Sequence, residues 1–207
     1  MTIETRTGIK IDAATLLAAL DTCLAFTAKD DNRPVLRAVR IESTATGTKF
    51  VSADGYHLGI VDLAASIFGE IDTLIHSDSV KTIVKMLKTV GKNQRERVMV
   101  TLDDRQFEIP NVGTIPVTVV PGTFPDYEKL VPEVETQVSR TDRFALNPGM
   151  LLKAATVANR YSSGTVMRFN TPASRGKPIS ASWNINDNMS VRYVLMPMNI
   201  QWADGSN

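Results

Sequence analysis

The stretch Val191-Arg192-Tyr193-Val194-Leu195-Met196-Pro197-Met198 lies near the end of a 207-residue chain and combines a strand pattern with an abrupt stop. Its β-branched and aromatic residues favour a β-strand. Pro197 lacks a backbone N–H and fixes φ, so the strand should end there or lie at a sheet edge. Methionine is flexible and polarizable. The two methionines at this stop therefore either fill gaps in a core or form a surface that accepts varied partners.

Composition places the chain among ordinary globular proteins. It is 43% hydrophobic and 22% charged, and its formal net charge is +1, so any basic surface must be local. The length allows one large domain or two small ones. The single cysteine, Cys23, lies in an apolar helical pattern and suits a reducing cytosol. Apolar runs are too short for a membrane span and no signal-peptide pattern is present, which predicts a soluble, cytoplasmic protein without a membrane partner.

One plan recurs three times along the chain, namely a short strand, an apolar-periodic helix and a run of strands. Helices are predicted around 16–24, at 79–90 and from 148 to about 161, capped by Asp12, by Ser77 or Asp78, and by Asn147. Strands are predicted at about 8–11, 35–43, 49–63, 72–76, 97–102, 106–109, 115–120, 134–138, 144–146, 166–169, 179–185 and 191–196.

This order predicts an α+β fold in which antiparallel sheets carry helices on one side. A segment rich in proline, with Gly122, Pro125 and Pro132, is typical of a linker. We therefore expect a first domain of two units at 1–121, a linker at 122–141 and a shorter second domain at 142–207.

The second predicted helix places its lysines on one face, since they follow each other in steps of four, three and four. The basic residues of this pattern and of its surroundings are Lys81, Lys85, Lys88, Lys92, Arg95, Lys153 and Arg160. A solvated basic face explains the pattern without any function. The functional alternative is contact with the phosphate backbone of duplex DNA, which is independent of base sequence.

Motifs for catalysis are missing from the sequence. His57 and His76 do not stand at metal-ligand spacing, and no glycine-rich phosphate loop occurs. Gly47, Gly55 and Gly59 are interpreted as turn or bulge positions. The sequence therefore predicts a binding protein that is not an enzyme and holds no metal or cofactor. An enzyme whose site has no recognisable motif is the least favoured alternative.

Four segments resemble the bacterial DNA sliding clamp, the β subunit of DNA polymerase III. They are Arg33–Val39 (RPVLRAV), Ser52–Leu58 (SADGYHL), Phe124–Pro132 (FPDYEKLVP) and Tyr193–Met198 (YVLMPM). Ala53 stands where the family usually has threonine. The resemblance runs from about Ile9 to Met198 and implies the DNA clamp fold. In that fold, strand–helix–strands units build a ring around duplex DNA, with antiparallel sheets outside and helices lining the hole.

The resemblance also implies a hydrophobic pocket to which polymerase, clamp-loader and repair proteins dock a short peptide. Transferred position by position, its walls in this sequence would be Leu36, Ala53, Gly55, Leu58, Pro125, Lys129, Leu130, Pro178, Ser180, Val194, Met196, Pro197 and Met198.

The chain departs from the family in size. It carries three units where a family subunit has six, because only a short connector separates Pro132 from Phe144. A closed ring of twelve units would need four copies, so we expect a homo-oligomer. The expected function is a bacterial or phage-encoded processivity factor for DNA replication, with duplex DNA and polymerase and clamp-loader peptides as partners. The alternative is a homologue that forms no ring and acts only as a peptide-binding or competitor module.

Overall fold

The computed structural model describes residues 8–30, 32–64, 69–132, 144–162, 166–170 and 177–198. In these ranges the chain forms three α-helices and two antiparallel sheets. The helices are α1 (Ala13–Leu24), α2 (Ser77–Thr89) and α3 (Pro148–Tyr161). The strands are β1 (Gly8–Asp12), β2 (Ala38–Thr44), β3 (Gly47–Ala53), β4 (His57–Leu63), β5 (Ile71–His76), β6 (Met99–Asp103), β7 (Gln106–Ile109), β8 (Gly113–Pro116), β9 (Arg168–Asn170), β10 (Ile179–Asn186) and β11 (Met189–Leu195).

Side-chain caps start the helices, and two of the three were predicted. The Asp12 carboxylate accepts a hydrogen bond from the Thr15 backbone N–H at 2.8 Å and starts α1. The Asn147 side chain does the same for α3, with Pro148 in the first helical position. The prediction for α2 was wrong, because His76 is the cap and its Nδ1 accepts from Asp78 N at 3.2 Å. Strand β5 continues through His76, so the helix begins directly at the next residue.

The sheets have the strand orders β1-β6-β7-β8 and β5-β2-β3-β4-β11-β10-β9. The pairing of β4 with β11 joins the first half of the chain to its last strand, from Leu63 opposite Met189 to His57 opposite Leu195. The larger sheet is therefore continuous between the segments predicted as two domains.

The two faces of the seven-stranded sheet carry separate apolar clusters. Val61 and Leu195 belong to the main core, which also includes the apolar sides of all three helices. Leu58, Ile60 and Val194 point the other way, into a smaller cluster that includes the buried side chains of segment 120–131. This alternation follows from the two-residue repeat of a strand. We call the face with the smaller cluster the outer face.

Several predicted strand bounds differ from the structure. Residues Pro34–Arg37 form a 3-10 turn, and β2 begins only after it. The predicted strand 49–63 is a hairpin divided at Asp54, and β8 ends at Pro116. Residues 144–146 contribute only a bridge between Ala145 and Met198. The strand predicted at 134–138 lies outside the described residues.

Gly59 is not at a turn, contrary to the prediction. It lies inside β4, where an added Cβ would collide with the ring of Phe26. Gly55 does occupy a turn and has φ +94, a conformation that favours glycine. Glycine in a strand can therefore mark a close approach as well as a bulge. In the part of the chain that is described, no helix is long and apolar enough to cross a membrane.

Candidate peptide-binding site

Four of the predicted pocket residues form one row across the outer face. Ala53 on β3 lies opposite Leu58 on β4, Leu58 opposite Val194 on β11, and Val194 opposite Ser180 on β10. Residues that face each other across antiparallel strands project to the same side of the sheet. Leu58 and Val194 are buried within the smaller cluster. The row therefore brings together two hairpins, β3–β4 and β10–β11, that are far apart in the sequence.

The turn between β3 and β4 stands at one end of this row and is held by Asp54. Its carboxylate accepts the backbone N–H groups of Tyr56 and His57 at 2.9 and 2.8 Å, and Nδ1 of His57 lies 2.7 Å from it. The Arg33 guanidinium donates to the Asp54 carbonyl at 3.1 Å. Burial raises the pKa of the Asp54 carboxyl, but the hydrogen bonds from His57 and Tyr56 outweigh it, and the pKa is lowered. The turn that carries Gly55 is therefore rigidly placed.

The Met-Pro-Met segment runs along this turn after β11 ends. Met196 N donates to the Tyr56 carbonyl at 3.1 Å, and Met198 N donates to the Ala145 carbonyl at 2.8 Å. Pro197 occupies the position between these two donors, where no N–H is needed. Met196 and Met198 are 42% and 48% exposed. The methionines therefore belong to the surface, and the interpretation as core gap fillers is wrong.

The linker packs on the outer face in the same cluster as the row. Phe124 and Tyr127 are buried in the smaller cluster together with Leu36. Pro125, Lys129 and Leu130, the linker residues predicted for the pocket, are exposed. A 3-10 turn at Glu128–Leu130 presents the last two of these to solvent. Phe124 and Tyr127 thus anchor the linker on the sheet, while Pro125, Lys129 and Leu130 remain accessible.

Taken together, the predicted walls divide into a floor and a rim. Leu36, Leu58 and Val194 form a buried apolar floor, while Ala53, Pro178, Ser180 and Pro197 are half-buried. The exposed rim consists of Gly55, Pro125, Lys129, Leu130, Met196 and Met198.

Two exposed aromatic residues adjoin this rim and were missed from the sequence. Tyr56 is 61% exposed and its carbonyl accepts the N–H of Met196. Phe144 is 39% exposed and directly precedes Ala145, which pairs with Met198. Tyr56 could have been identified from the sequence, because it lies at the tip of a predicted turn. Phe144 carries no such signal, because only tertiary pairing brings it here.

Two cavities lie elsewhere on the molecule. One of about 490 Å³ lies at the end of the seven-stranded sheet, beside the β2–β3 and β10–β11 turns. Another of about 380 Å³ lies between β5 and residues 119–124. No residue predicted for the pocket lines either of them. The candidate peptide site is therefore a surface outside both cavities.

The basic face predicted on α2 is partly neutralised inside the molecule. Lys88 Nζ lies 3.4 Å from Asp21 Oδ1, and Arg160 Nη1 lies 2.6 Å from Asp21 Oδ2. The Tyr161 hydroxyl donates to the same carboxylate at 2.6 Å. Burial alone raises the pKa of Asp21, but the hydrogen bonds from Tyr161 and Arg160 and the charge of Lys88 outweigh it, and the pKa is lowered. Asp21 therefore compensates two of the predicted DNA-binding charges.

Arg95, also predicted to contact DNA, closes the end of α2. Its guanidinium donates to backbone carbonyls of the last helical turn, those of Leu87 at 3.2 Å, Lys88 at 2.9 Å and Val90 at 3.0 Å. Such contacts satisfy carbonyls that have no partner within a helix. This residue thus has a structural role that the sequence did not reveal.

The other basic residues predicted to contact DNA have weaker ion pairs or none among the described residues. Lys81 pairs with Asp78 at 2.7 Å, but both side chains are more than half exposed, and such pairs are weak. Lys85, Lys92 and Lys153 form no ion pair with any residue in the described ranges. Since α2 and α3 pack on the main core, this basic face and the candidate peptide site lie on opposite sides of the sheet.

Bacterial sliding clamps are among the solved structures that are similar to the chain. The clamp from Pseudomonas aeruginosa superposes with a TM-score of 0.72 at 17% identity and covers 97% of this chain and 69% of that chain. The DNA polymerase III β subunit from Thermotoga maritima gives 0.73 at 15% identity, covering 97% and 67%. A Bartonella birtlesii clamp bound to griselimycin gives 0.69 at 18% identity, covering 97% and 68%.

No protein-family model and no curated protein sequence matches the chain. At such low identity, the likeness to solved structures concerns the fold alone. It confirms the resemblance that the four sequence segments suggested, and with it the predicted α+β class. The chain has the fold of the bacterial DNA polymerase III β sliding clamp.

Proposed function

We propose that the protein is a sliding-clamp-like processivity factor of DNA replication, a non-catalytic subunit that holds a polymerase and other partners on duplex DNA. We place it in the cytoplasm of a bacterium or of a phage-infected cell. One observation carries the proposal. The row Ala53–Leu58–Val194–Ser180 and the exposed Met196 and Met198 come together on the outer face of a clamp fold.

The peptide-binding part of the proposal follows from the chemistry of this surface. A few apolar side chains of a peptide could pack on the floor of Leu36, Leu58 and Val194, and such anchors dominate binding energy in peptide recognition. Met196 and Met198 can adapt their rotamers to different anchors. The natural ligands would be the clamp-docking peptides of a polymerase and a clamp loader.

The DNA-binding part relies on the helix side of the molecule. Lys81 and Lys85 lie on one face of α2 and are exposed. Lys92 is also exposed, but it lies in the turn after α2 and not on the predicted helical face, because the helix ends at Thr89. Flexible lysines suit contacts that must not read base sequence, because they act as point charges toward phosphates. Binding should therefore weaken steeply as the salt concentration rises.

Encircling DNA requires more than one copy of the chain, and the sheet edge offers a place for assembly. Strand β9 ends the seven-stranded sheet, and among the described residues its outer edge is unpaired. Phe169 on this strand is 43% exposed. Edge strands with exposed apolar residues readily pair with another chain. We propose a homo-oligomer, with a four-chain ring as the closed form. Light scattering that gave a monomer at micromolar concentration would contradict it.

The second candidate is a homologue that forms no ring and acts only as a peptide-binding or competitor module. It is favoured by the pairing of Lys88 and Arg160 with Asp21, which reduces the charge available for phosphates. The net charge of only +1 points the same way. This candidate predicts peptide binding without binding to duplex DNA.

Two double variants separate the candidates. Met196→Ala with Met198→Ala should weaken binding of a clamp-docking peptide and leave DNA binding unchanged. Lys85→Glu with Lys92→Glu should abolish DNA binding and leave peptide binding unchanged. Both pairs of side chains are exposed, so stability should change little. If the wild type binds the peptide but binds no duplex DNA at low salt, the second candidate is correct. If it binds neither, both are wrong.

A further inference from the structure

Glu128 joins the described part of the linker to the sheet through ionic contacts. Its Oε1 lies 2.6 Å from Lys49 Nζ on β3, and its Oε2 lies 3.7 Å from Arg192 Nη1 on β11. These two strands are not neighbours, because β4 runs between them. One carboxylate of the linker therefore spans the outer face from β3 to β11.

The two cations are themselves placed by the sheet. On β4, Asp62 lies directly opposite Lys49 and holds Arg192 through two hydrogen bonds, at 2.7 and 2.9 Å. Such a bidentate pair fixes the plane of the guanidinium. Lys49, Glu128, Arg192 and Asp62 form a chain of alternating charge, and Glu128 is its member from the linker. We call these four residues the charge chain.

The charge chain adjoins the part of the linker proposed to bind peptide. Lys129 and Leu130 follow Glu128 directly in the same 3-10 turn, with both side chains exposed. The preceding residue, Tyr127, is buried, and its hydroxyl lies 3.4 Å from Glu42 Oε2. Tyr127 thus fixes the start of the turn through apolar contact. Among the described residues that follow it, 128–132, the ionic attachment to the sheet is that of Glu128.

We propose that Glu128 is a positioning residue for the peptide site: shared between Lys49 and Arg192, it locks the 3-10 turn onto the sheet and fixes Lys129 and Leu130 as one wall. The part that concerns peptide affinity rests on the proposed function. The part that concerns the turn does not. Since Glu128 is half exposed, salt should screen its attraction to both cations.

The matched variants are Glu128→Gln and Glu108→Gln. Both replace an exposed glutamate by its neutral isostere, but Glu108 lies on β7 of the other sheet. Two readouts are measured. The first is the affinity for a clamp-docking peptide at low and at high salt. The second is the hydrogen exchange rate of the Leu130 and Val131 amides, which bond to the carbonyls of Tyr127 and Glu128 at 2.9 and 3.2 Å.

We expect Glu128→Gln to weaken peptide binding about fivefold at low salt, with the difference vanishing near 1 M salt. The two amides should exchange faster in this variant, and the melting temperature should remain close to that of the wild type. Glu108→Gln should match the wild type in every measurement. Restoring the carboxylate on a shorter stem, in Glu128→Asp, should recover part of the protection.

The results distinguish this proposal from the proposed function. If the wild type binds the peptide and Glu128→Gln binds it equally well at low salt, the positioning role is refuted while peptide binding stands. If the wild type binds no peptide, the hydrogen exchange rates of the two amides still test whether Glu128 attaches the 3-10 turn to the sheet. If the Leu130 and Val131 amides exchange at the wild-type rate in Glu128→Gln, Glu128 does not hold the 3-10 turn on the sheet. Faster exchange supports that role.

Discussion

Asp21 on α1 and Arg160 on α3 form an ion pair of 2.6 Å although 139 residues separate them in the sequence. The same carboxylate accepts the Tyr161 hydroxyl and lies near Lys88 of α2. One side chain therefore connects all three helices on the face proposed to meet DNA. Its partners are supplied by elements that the sequence pattern cannot place beside each other.

Replacing this carboxylate should destabilise the fold. Asp21→Asn removes the negative charge and places an NH2 donor where one of the two acceptor oxygens faces Lys88 or Arg160 and Tyr161, and we expect a loss of about 1–3 kcal/mol in the free energy of unfolding. Urea denaturation measures it. Asp104→Asn, in the exposed β6–β7 turn, is the control and should change stability by less than about 0.5 kcal/mol. Equal effects of the two substitutions would contradict the connecting role of Asp21.

The contribution of Asp21 should also depend on pH. Its pKa in the folded protein lies below the ordinary value of 3.8, so the folded state binds fewer protons than the unfolded state does. The stabilisation is therefore fully present above the unfolded value and is lost as the pH falls through the folded value. The stability difference between the wild type and Asp21→Asn should be constant from pH 5 to 7 and shrink below about pH 4. A difference independent of pH would argue against an ionic contribution.

Replacing Gly59, the glycine inside β4, should destabilise the fold. An alanine Cβ there would meet the Phe26 ring in the main core, so Gly59→Ala forces that ring to move and should cost about 1–3 kcal/mol. Gly91→Ala is the control, because its added Cβ would meet no atom closer than 3.8 Å. Thermal unfolding of both variants tests this, and a Gly59→Ala protein as stable as the Gly91→Ala protein would refute the close packing.

The proposed DNA contacts can be ranked by the salt dependence of binding. Lys85→Gln and Lys92→Gln should each reduce the slope of log K against log salt by about 0.9, because each lysine is free to replace a counterion. Lys88→Gln should reduce the slope less, since Asp21 already compensates that charge. Fluorescence anisotropy with a labelled duplex at several salt concentrations measures the slopes. Equal slopes for Lys85→Gln and Lys88→Gln would show that Asp21 leaves Lys88 fully available.

Much of the local structure could be predicted from sequence because its causes are local. Asp12 and Asn147 cap helices with their own side chains, and Pro148 suits the first helical turn. His76 escaped prediction because its role as a cap depends on where β5 ends, and the pairing of β5 with β2 sets that end. Gly59 escaped it because the reason for a glycine there is the ring of Phe26.

For the candidate site, the residue types came from sequence and their arrangement from the structure. The motif residues Leu58 and Val194 were selected through family resemblance, and strand pairing places them side by side. The burial of Leu58 and the exposure of Met196 followed from no local pattern. The partners of Glu128 and Asp21 could not be predicted either. The hydrophobic repeat predicts which face of a strand or helix a side chain occupies, but it does not predict which residue of another element that side chain contacts.

The Met-Pro-Met segment shows most clearly which features follow from the local sequence and which depend on tertiary contacts. Pro197 alone predicts that β11 ends no later than Met196, because a residue without an N–H and with a fixed φ cannot continue a ladder, and the strand ends at Leu195. The exposure of both methionines depends on tertiary contacts. Their backbone N–H groups are bonded to Tyr56 and Ala145, residues from distant segments, and those bonds hold the chain on the surface beside the candidate peptide site.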